Sequence, residues 1–236
     1  MCYTNIGDNM FRKAILIIHG FGGGTYDEEY LANNLELKRN FDVFTFTLPG
    51  HDGIFKSNMK EEDWINNTDE MINCLINNNY KTIYVIGHSM GGVLAARLAS
   101  KYKEVKKLVL LAAAFRYLEF KEDNIDIIKS IKKTPDLIKD YKEEFISRII
   151  KMPPNAIKEF MKTIKDNEHT LKNINIPTLI IQGTEDNLVP PETIEYIYNE
   201  IPTIKKQKLL IENVNHDIFR SEKKKLITEE IIKFLK

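Results

Sequence analysis

Cysteine, excess charge and long apolar runs are all scarce in this sequence, and each scarcity excludes a class of protein. Two cysteines are far too few for a disulfide framework, and we interpret both as reduced thiols of a cytosolic protein. The 34 basic and 34 acidic residues cancel, so no basic field exists to hold a nucleic acid. The apolar run 14–18 is too short for a secretory signal, which needs about 7–15 such residues, or for a membrane span of about 20. We therefore expect a cytoplasmic protein without a transmembrane segment.

What the sequence has instead is an alternation of short apolar runs and longer amphipathic stretches. The runs are apolar on both faces, which is typical of parallel strands covered by helices. They are Ala14–Ile18, Val43–Leu48, Thr82–Gly87, Leu108–Ala112, Thr178–Gln182 and Lys208–Ile211. The helical stretches are Tyr26–Arg39, Lys60–Asn78, Met90–Tyr102, Pro191–Asn199 and Glu222–Leu235. This alternation predicts an α/β protein with a doubly wound, mostly parallel sheet.

One connection breaks the alternation, because the chain runs from Phe115 to Ile174 without a strand-like segment. The segment is typical of several short helices separated by prolines. A connection of this length is usually functional. We expect most of its apolar residues to seat it on the sheet, and a few to line a substrate pocket. The residues expected to line that pocket are Phe21, Phe115, Tyr117, Phe145, Met152 and Val189.

A serine flanked by glycines gives the strongest local signal for chemistry. Ser89 lies in the segment G-H-S-M-G at 87–91, directly after the run Thr82–Gly87 and directly before a helical stretch. A sharp strand-to-helix turn of this kind lifts a serine hydroxyl clear of the sheet, and the helix points its amide groups at the same place. The pattern therefore predicts a nucleophile at Ser89. The alternative is a glycine-rich turn in which the serine only caps the helix.

A serine hydroxyl needs a base at neutral pH, and this sequence has five histidines. His216 follows the last predicted strand in a short loop, at the carboxyl end of the sheet, where the active sites of parallel sheets gather. His88 is adjacent to Ser89 and is expected to point in another direction. His19 and His51 lie in glycine-containing loops and are expected to hold those loops by hydrogen bonds. We therefore predict that His216 is the base.

The base in turn needs a carboxylate that orients it and stabilises the imidazolium. Asp186 follows the fifth predicted strand in the segment G-T-E-D-N-L-V-P, and we predict that it is this acid. Its neighbour Glu185 is the main rival, whereas Asp217 is too close to His216 in the sequence to reach around the ring easily. In the alternative interpretation Asp186 only caps the helix that begins near Pro191.

The tetrahedral intermediate of acyl transfer also needs hydrogen-bond donors for its oxyanion. The backbone N–H of Met90, one residue after the nucleophile, is one natural donor. The loop H-G-F-G-G-G at 19–24 is expected to supply the other through the N–H of Phe21. The loop could instead bind phosphate, but it has neither the spacing of a dinucleotide fingerprint nor the lysine of a P-loop. The sequence has no H-x-x-H or C-x-x-C cluster, so we expect no metal and no cofactor.

The chain order Ser89, Asp186, His216, with H-G-F-G-G after the first strand and G-H-S-M-G-G at the turn, resembles the α/β-hydrolase superfamily. Within it, the chain is similar to small bacterial carboxylesterases and monoacylglycerol-lipase-like enzymes. The resemblance covers nearly the whole chain, including the loop P-G-H-D at 49–52 and the acid motif at 183–190. It implies a core of residues 1–114 and 175–236, with residues 115–174 inserted as a helical cap.

The sequence departs from this family in two places. Asn215 replaces the glycine that often precedes the catalytic histidine. Only about a dozen residues precede the first strand. The family's two leading antiparallel strands are therefore expected to be missing or vestigial, which leaves a sheet of about six strands.

The resemblance implies a serine esterase that cleaves a small-molecule ester through an acyl-enzyme, and the aliphatic and Phe-rich residues of the predicted cap favour an apolar acyl group. Three alternatives stay open: a thioesterase or acyltransferase with the same triad, a serine aminopeptidase, and a non-catalytic ligand-binding module. An aminopeptidase would need acidic cap residues to hold the substrate amine. The candidates are Glu119, Glu122, Asp123, Glu143 and Glu144, which we interpret as a solvated face. The sequence predicts no particular oligomeric state.

Overall fold

Within the described part of the chain, six parallel β-strands form one sheet in the order β2-β1-β3-β4-β5-β6. The structure is a computed structural model that describes residues 12–38, 40–51, 58–116 and 153–236. The strands are β1 (Lys13–Ile18), β2 (Phe41–Thr45), β3 (Thr82–His88), β4 (Val105–Leu111), β5 (Thr178–Gly183) and β6 (Lys206–Ile211). The helices are α1 (Glu29–Glu36), α2 (Glu61–Asn77), α3 (Met90–Lys101), α4 (Pro154–Asn167), α5 (Thr193–Glu200) and α6 (Lys224–Leu235). The predicted fold class, a doubly wound parallel α/β sheet, is confirmed.

Alternate residues of the central strands face two different helical layers. On β3, Tyr84 and Ile86 pack in the core that contains the buried residues of α1 and α6. Their neighbours Ile83 and Val85 pack in the core that contains the buried residues of α2, α3, α4 and α5. Side chains alternate between the two faces of a strand, so a strand covered on both faces becomes a continuous apolar run. This explains why the inner strands were recognisable from composition.

The two outer strands depart from the expectation that every run is buried on both faces. Every residue of β6 is exposed or half-buried, and Leu210 is 51% exposed. The strand β2 begins at Phe41 rather than at the predicted Val43, because it pairs with β1 in a register that starts at Lys13 opposite Phe41. An edge strand is set by its pairing partner, and its composition does not show where that pairing begins.

The end of the predicted insertion 115–174 is fixed to the rest of the protein. It forms α4 and then a 3₁₀ helix at Glu168–Asn173, while residues 117–152 lie outside the described part. The carboxylate of Glu61, at the start of α2, is 3% exposed and forms an ion pair with Lys162 of α4. Asn167 donates to the same carboxylate at 2.9 Å. These contacts join α4 to α2.

One expectation about the cysteines is wrong. The sulfur of Cys74, on α2, is disulfide-bonded rather than reduced. The other cysteine, Cys2, lies outside the described residues. None of the helices that the structure describes has both the length and the apolar character needed to cross a membrane.

Candidate active site

The turn between β3 and α3 holds Ser89 in a conformation that few residues adopt. Its φ is 53° and its ψ is −120°, outside the common regions for residues with a side chain. The N–H of Ser89 donates to the carbonyl of Leu111 at 2.9 Å, and its carbonyl accepts from Ala114 at 3.1 Å. Although Ser89 occupies the position that precedes α3, its hydroxyl makes no capping hydrogen bond. The strained turn therefore presents the hydroxyl without using it to cap the helix.

Two glycines make this turn possible because backbone approaches backbone there. A Cβ at Gly87 would lie 2.1 Å from the carbonyl oxygen of Gly91. A Cβ at Gly91 would lie 2.1 Å from the carbonyl oxygen of Ile18, at the end of β1. Real Cβ atoms do not approach oxygen so closely, so a side chain at either position would push β3, α3 and β1 apart. The glycines of the G-x-S-x-G pattern are thus explained by packing.

His216 and Asp186 meet in the structure although they are 30 residues apart. Nδ1 of His216 lies 2.8 Å from Oδ2 of Asp186, and both side chains are buried. A carboxylate oxygen only accepts, so Nδ1 carries the proton and Nε2 is left as the acceptor of the neutral ring. That tautomer is the one a general base needs.

The Asp186 carboxylate is saturated with hydrogen bonds. Oδ1 accepts from the N–H groups of Leu188 and Val189, each at 2.9 Å. Oδ2 accepts from Nε2 of Gln182 at 2.8 Å in addition to His216. Burial raises the pKa of the Asp186 carboxyl, but the charge of His216 and these hydrogen bonds lower the pKa overall. The sequence analysis missed Gln182; its only signal was a polar residue at the end of a buried apolar run.

The rival acids are placed elsewhere. Glu185 is exposed, and its backbone N–H donates to the carbonyl of Val214 at 3.0 Å. Asp217 is half-buried, and its N–H donates to Oδ1 of Asn215 at 3.1 Å. The hydrogen bond from Asp217 to the side chain of Asn215 closes a turn around His216. The positive φ of 59° in this loop belongs to Asn213 and not to Asn215. The absence of glycine before His216 is therefore compatible with the loop.

The nucleophile and base candidates are neighbours through His88. Nε2 of His88, adjacent to Ser89, lies 2.9 Å from the main-chain oxygen of His216, and the two imidazole centroids are 5.0 Å apart. Among the described residues, the ring of His216 hydrogen-bonds only to Asp186, and no hydrogen bond joins it to the hydroxyl of Ser89. Catalytic hydrogen bonds are often long in the free enzyme and tighten when substrate binds.

The glycine loop after β1 passes directly beside Ser89. A Cβ at Gly20 would lie 3.0 Å from Cβ of Ser89 and 3.6 Å from its Oγ. Within the described part of the chain, neither Phe21 nor Met90 donates its backbone N–H to another backbone carbonyl. The N–H groups of both predicted oxyanion donors are therefore not used in backbone hydrogen bonds among the described residues.

Two further histidines hold this loop and the next one, as expected. His19 accepts from the N–H of Leu48 at 2.9 Å through Nε2, and its Nδ1 donates to the carbonyl of Gly20 at 2.8 Å. Burial is the main reason why the pKa of His19 falls to about 3, so the ring stays neutral. Nδ1 of His51 lies 3.0 Å from the carbonyl of Pro49. The loops after β1 and β2 are thus tied together through neutral imidazole.

Phe21 also contacts α4, the last helix of the predicted insertion. Its ring stacks on Phe160 with centroids 4.7 Å apart and planes 8° from parallel. The edges of Trp64 and His51 approach the same ring at 5.8 and 5.7 Å. The residue predicted to donate to the oxyanion is therefore packed against the insertion.

The other predicted pocket residues divide into two groups. Phe115 and Val189 are buried in the core, and the main chain of Val189 is engaged with Asp186 and Gln182. Tyr117, Phe145 and Met152 lie outside the described residues, as do the acidic candidates for amine binding. Among the residues that are described, no group of three or more His, Cys, Asp or Glu could hold a metal ion.

Comparison with known proteins places this geometry in a family. The model of the family described as serine aminopeptidase, S33, matches residues 10–224. A carboxylesterase of Bacillus subtilis (strain 168) is 27% identical over 242 residues, which cover 94% of this chain and 92% of the relative. A thermostable monoacylglycerol lipase of Bacillus sp. (strain H-257) is 26% identical, over 93% of this chain and 89% of the relative.

Solved structures show the same fold. A structure from work on LipS and LipT, two metagenome-derived lipolytic enzymes, has a TM-score of 0.76 and 24% identity, over 94% of this chain and 93% of that one. The monoacylglycerol lipase of Paleococcus ferrophilus has a TM-score of 0.72 and 19% identity, over 94% and 93%. At these identities the likeness establishes the fold alone.

Proposed function

Because the chain belongs to the serine aminopeptidase S33 family of α/β-hydrolases, we propose that it is a serine esterase that cleaves carboxylic esters with an apolar acyl group. Ser89 is the nucleophile, His216 the general base and Asp186 the residue that orients the base. The observation that carries the proposal is the buried 2.8 Å bond from Nδ1 of His216 to Asp186, which leaves Nε2 as a proton acceptor. The ring of His216 lies 5.0 Å, centroid to centroid, from that of His88, which directly precedes a serine that is held in a strained turn and does not cap its helix.

The reaction proceeds in two acyl transfers. Oγ of Ser89 attacks the ester carbonyl while Nε2 of His216 takes the hydroxyl proton, and Asp186 stabilises the resulting imidazolium. The oxyanion accepts hydrogen bonds from the N–H groups of Phe21 and Met90. His216 then passes its proton to the departing alkoxide, and an acyl-enzyme remains. Water, deprotonated by His216, attacks the acyl carbon and releases the carboxylic acid and the free hydroxyl of Ser89.

The substrate class is supported by the relatives and by the surroundings of Phe21. The relatives include a carboxylesterase and a monoacylglycerol lipase. The ring of Phe21, whose N–H is the predicted oxyanion donor, stacks on Phe160, so the surroundings of this donor are apolar. We propose that residues 115–174 form a cap over the core 1–114 and 175–236, and that Phe115, Tyr117, Phe145, Met152 and Val189 contribute to the pocket. Location in the cytoplasm stays a prediction, and the disulfide at Cys74 counts against it, because cytosolic thiols are normally kept reduced.

The test combines a chemical probe with one variant. A fluorophosphonate should add its mass to Ser89, and Ser89→Ala should lose at least about a thousandfold in p-nitrophenyl ester turnover while keeping its thermal unfolding transition. Ser100→Ala is the matched control, because Ser100 lies on the same helix and donates only to the carbonyl of Arg97. Labelling of another residue, or near-normal turnover by Ser89→Ala, would refute the assignment.

Different substrates in the same assay separate the alternative functions. Esters of increasing acyl length measure the pocket, thioesters and added alcohol acceptors test the thioesterase and acyltransferase, and aminoacyl p-nitroanilides test the aminopeptidase. No labelling of Ser89, together with no turnover of any of these substrates, would favour a non-catalytic binding module. The proposed esterase predicts the highest kcat/KM for an ester of an apolar acid.

A further inference from the structure

Glu28 and His88 form a buried pair beside the proposed base, and the sequence analysis gave neither a role. Glu28 immediately precedes α1 and is 1% exposed, and His88, at the end of β3, is 7% exposed. Nδ1 of His88 lies 2.9 Å from Oε1 of Glu28. Nε2 of the same ring lies 2.9 Å from the main-chain oxygen of His216. One imidazole thus connects the start of α1 to the residue that carries the proposed base.

The partners of His88 define its protons. A carbonyl oxygen only accepts, so Nε2 of His88 carries a proton and donates it to His216. Nδ1 faces a carboxylate oxygen, so a second proton lies between Nδ1 and Oε1 of Glu28. Burial disfavours the imidazolium, but the hydrogen bond and the charge of Glu28 outweigh burial and raise the pKa of His88 to about 9. At neutral pH the bond to the carbonyl of His216 is therefore charge-assisted.

His216 is consequently held at two points. Asp186 holds the ring through Nδ1, and His88 holds the main chain through the carbonyl oxygen, which also accepts from the N–H of Ile218 at 2.9 Å. Residues 212–217 form neither helix nor strand, so no regular backbone ladder holds this segment in place. The bond from His88 ties it to the turn that carries Ser89.

We propose that Glu28 and His88 are positioning residues that hold the main chain of His216, so that its imidazole is aimed at the hydroxyl of Ser89. This proposal rests on the role of His216 as the base. A buried ion pair contributes little to stability when compared with apolar side chains of similar size. The pair is better explained by the geometry it imposes, since small displacements of a catalytic group slow a reaction strongly.

Other charged groups surround the pair and bear on any pH profile. Asp27 and Asp217 both face His88 and raise its pKa along with Glu28. Asp27 is paired with Arg220 at 3.3 Å. The neutral ring of His19 also lies within electrostatic reach of His88.

Two double variants isolate the bond to His216. Glu28→Leu/His88→Leu removes both partners, so no orphan charge is left in the core. Glu28→Leu/His88→Gln differs only in a side-chain amide, whose nitrogen can take the place of Nε2 and donate to the carbonyl of His216. We expect the first variant to lose about tenfold to hundredfold in kcat, with KM within about twofold of wild type. The second should regain most of that kcat at a similar thermal stability.

The outcomes separate positioning from stabilisation. Equal kcat in the two double variants, or full activity in the Leu/Leu variant, would overturn the proposal. Asp69→Asn is the control for removing an inter-helix ion pair, here the pair of Asp69 with Arg97 at 2.7 Å, and it should leave kcat unchanged. If fluorophosphonate does not label Ser89 in the wild type, the proposed function itself fails. If the wild type is labelled and both double variants react at its rate, only the positioning role fails.

Discussion

The protein contains two buried pairs of a carboxylate with a histidine, and they are built differently. The carboxylate of Asp186 accepts four hydrogen bonds, from Leu188, Val189, Gln182 and His216. The carboxylate of Glu28 accepts one from His88, and among the described residues its Oε2 has no hydrogen-bond partner although it is buried.

The pKa values follow this difference in donors. Hydrogen bonds and the charge of His216 outweigh burial and lower the pKa of Asp186, whereas burial dominates at Glu28 and raises its pKa despite the bond from His88. The two histidines also differ in how they use Nε2. Nε2 of His88 donates a hydrogen bond to a backbone carbonyl, whereas Nε2 of His216 is the proposed acceptor of the hydroxyl proton of Ser89. A carboxylate paired with a histidine is thus proposed to act in catalysis at Asp186 and His216, and to position the main chain at Glu28 and His88.

The largest effect on kcat is expected from a variant that breaks the pair of Asp186 and His216. Asp186→Asn keeps the shape of the side chain but can donate to Nδ1 of His216, which favours the wrong tautomer. We expect kcat for a p-nitrophenyl ester to fall about 10⁴-fold. Glu185→Gln is the adjacent control and should keep kcat within about twofold, since an exposed carboxylate with no contact to the base contributes little. A larger loss in Glu185→Gln than in Asp186→Asn would exchange the two roles.

The second pair should show itself in the pH dependence of stability. The pKa of His88 rises from 6.5 to about 9 in the folded protein. The contribution of His88 to folding stability is therefore fully present below pH 6.5 and is lost as the pH rises through about 9. We expect the free energy of unfolding in urea to decline by roughly 1 to 3 kcal/mol over that window. Glu28→Leu/His88→Leu should remove this decline. An unchanged alkaline decline in the double variant would assign it to other groups.

The pair of Asp186 and His216 should lose its contribution to folding stability at acid rather than alkaline pH. Because the pKa of Asp186 is lowered from 3.8, its contribution to stability is present above 3.8 and is lost as the pH falls through the lowered value. Asp186→Asn should therefore flatten the acid limb of the same urea series and leave the alkaline limb in place.

A smaller effect on kcat is expected when one of the four hydrogen-bond donors to the Asp186 carboxylate is removed. Gln182→Leu deletes the side-chain hydrogen bond to Asp186. We expect kcat to fall roughly tenfold, which corresponds to an increase of about 1.5 kcal/mol in the activation free energy. Gln207→Leu, at an exposed position on the neighbouring β6, is the matched control. If both variants keep wild-type kcat, the backbone donors of Leu188 and Val189 suffice to hold the acid.

Much of the fold was predictable because its signals are local. The inner strands β3 and β5 began at the predicted residue, Thr82 and Thr178, since strands covered on both faces are apolar throughout. The inner strand β4 began at Val105 rather than at the predicted Leu108, because its first residues include two lysines that interrupt the apolar run. The edge strand β2 was shifted by two residues, because its limits come from pairing with β1. In the site, the prediction named Ser89, Asp186 and His216 from their places after the strands β3, β5 and β6. It missed Gln182, which is polar inside an otherwise apolar strand.

The sequence by itself determined the alternation of strands and helices, the sharp turn at Ser89 and the end of the sheet at which polar loops collect. Each depends on periodicity or on residues a few positions apart. Only the tertiary structure decided that Glu28 meets His88, 60 residues away, and that Asp186 rather than its rival Glu185 meets His216, 30 residues away. The number of donors around each buried carboxylate comes from that packing, and so does the direction in which its pKa is shifted.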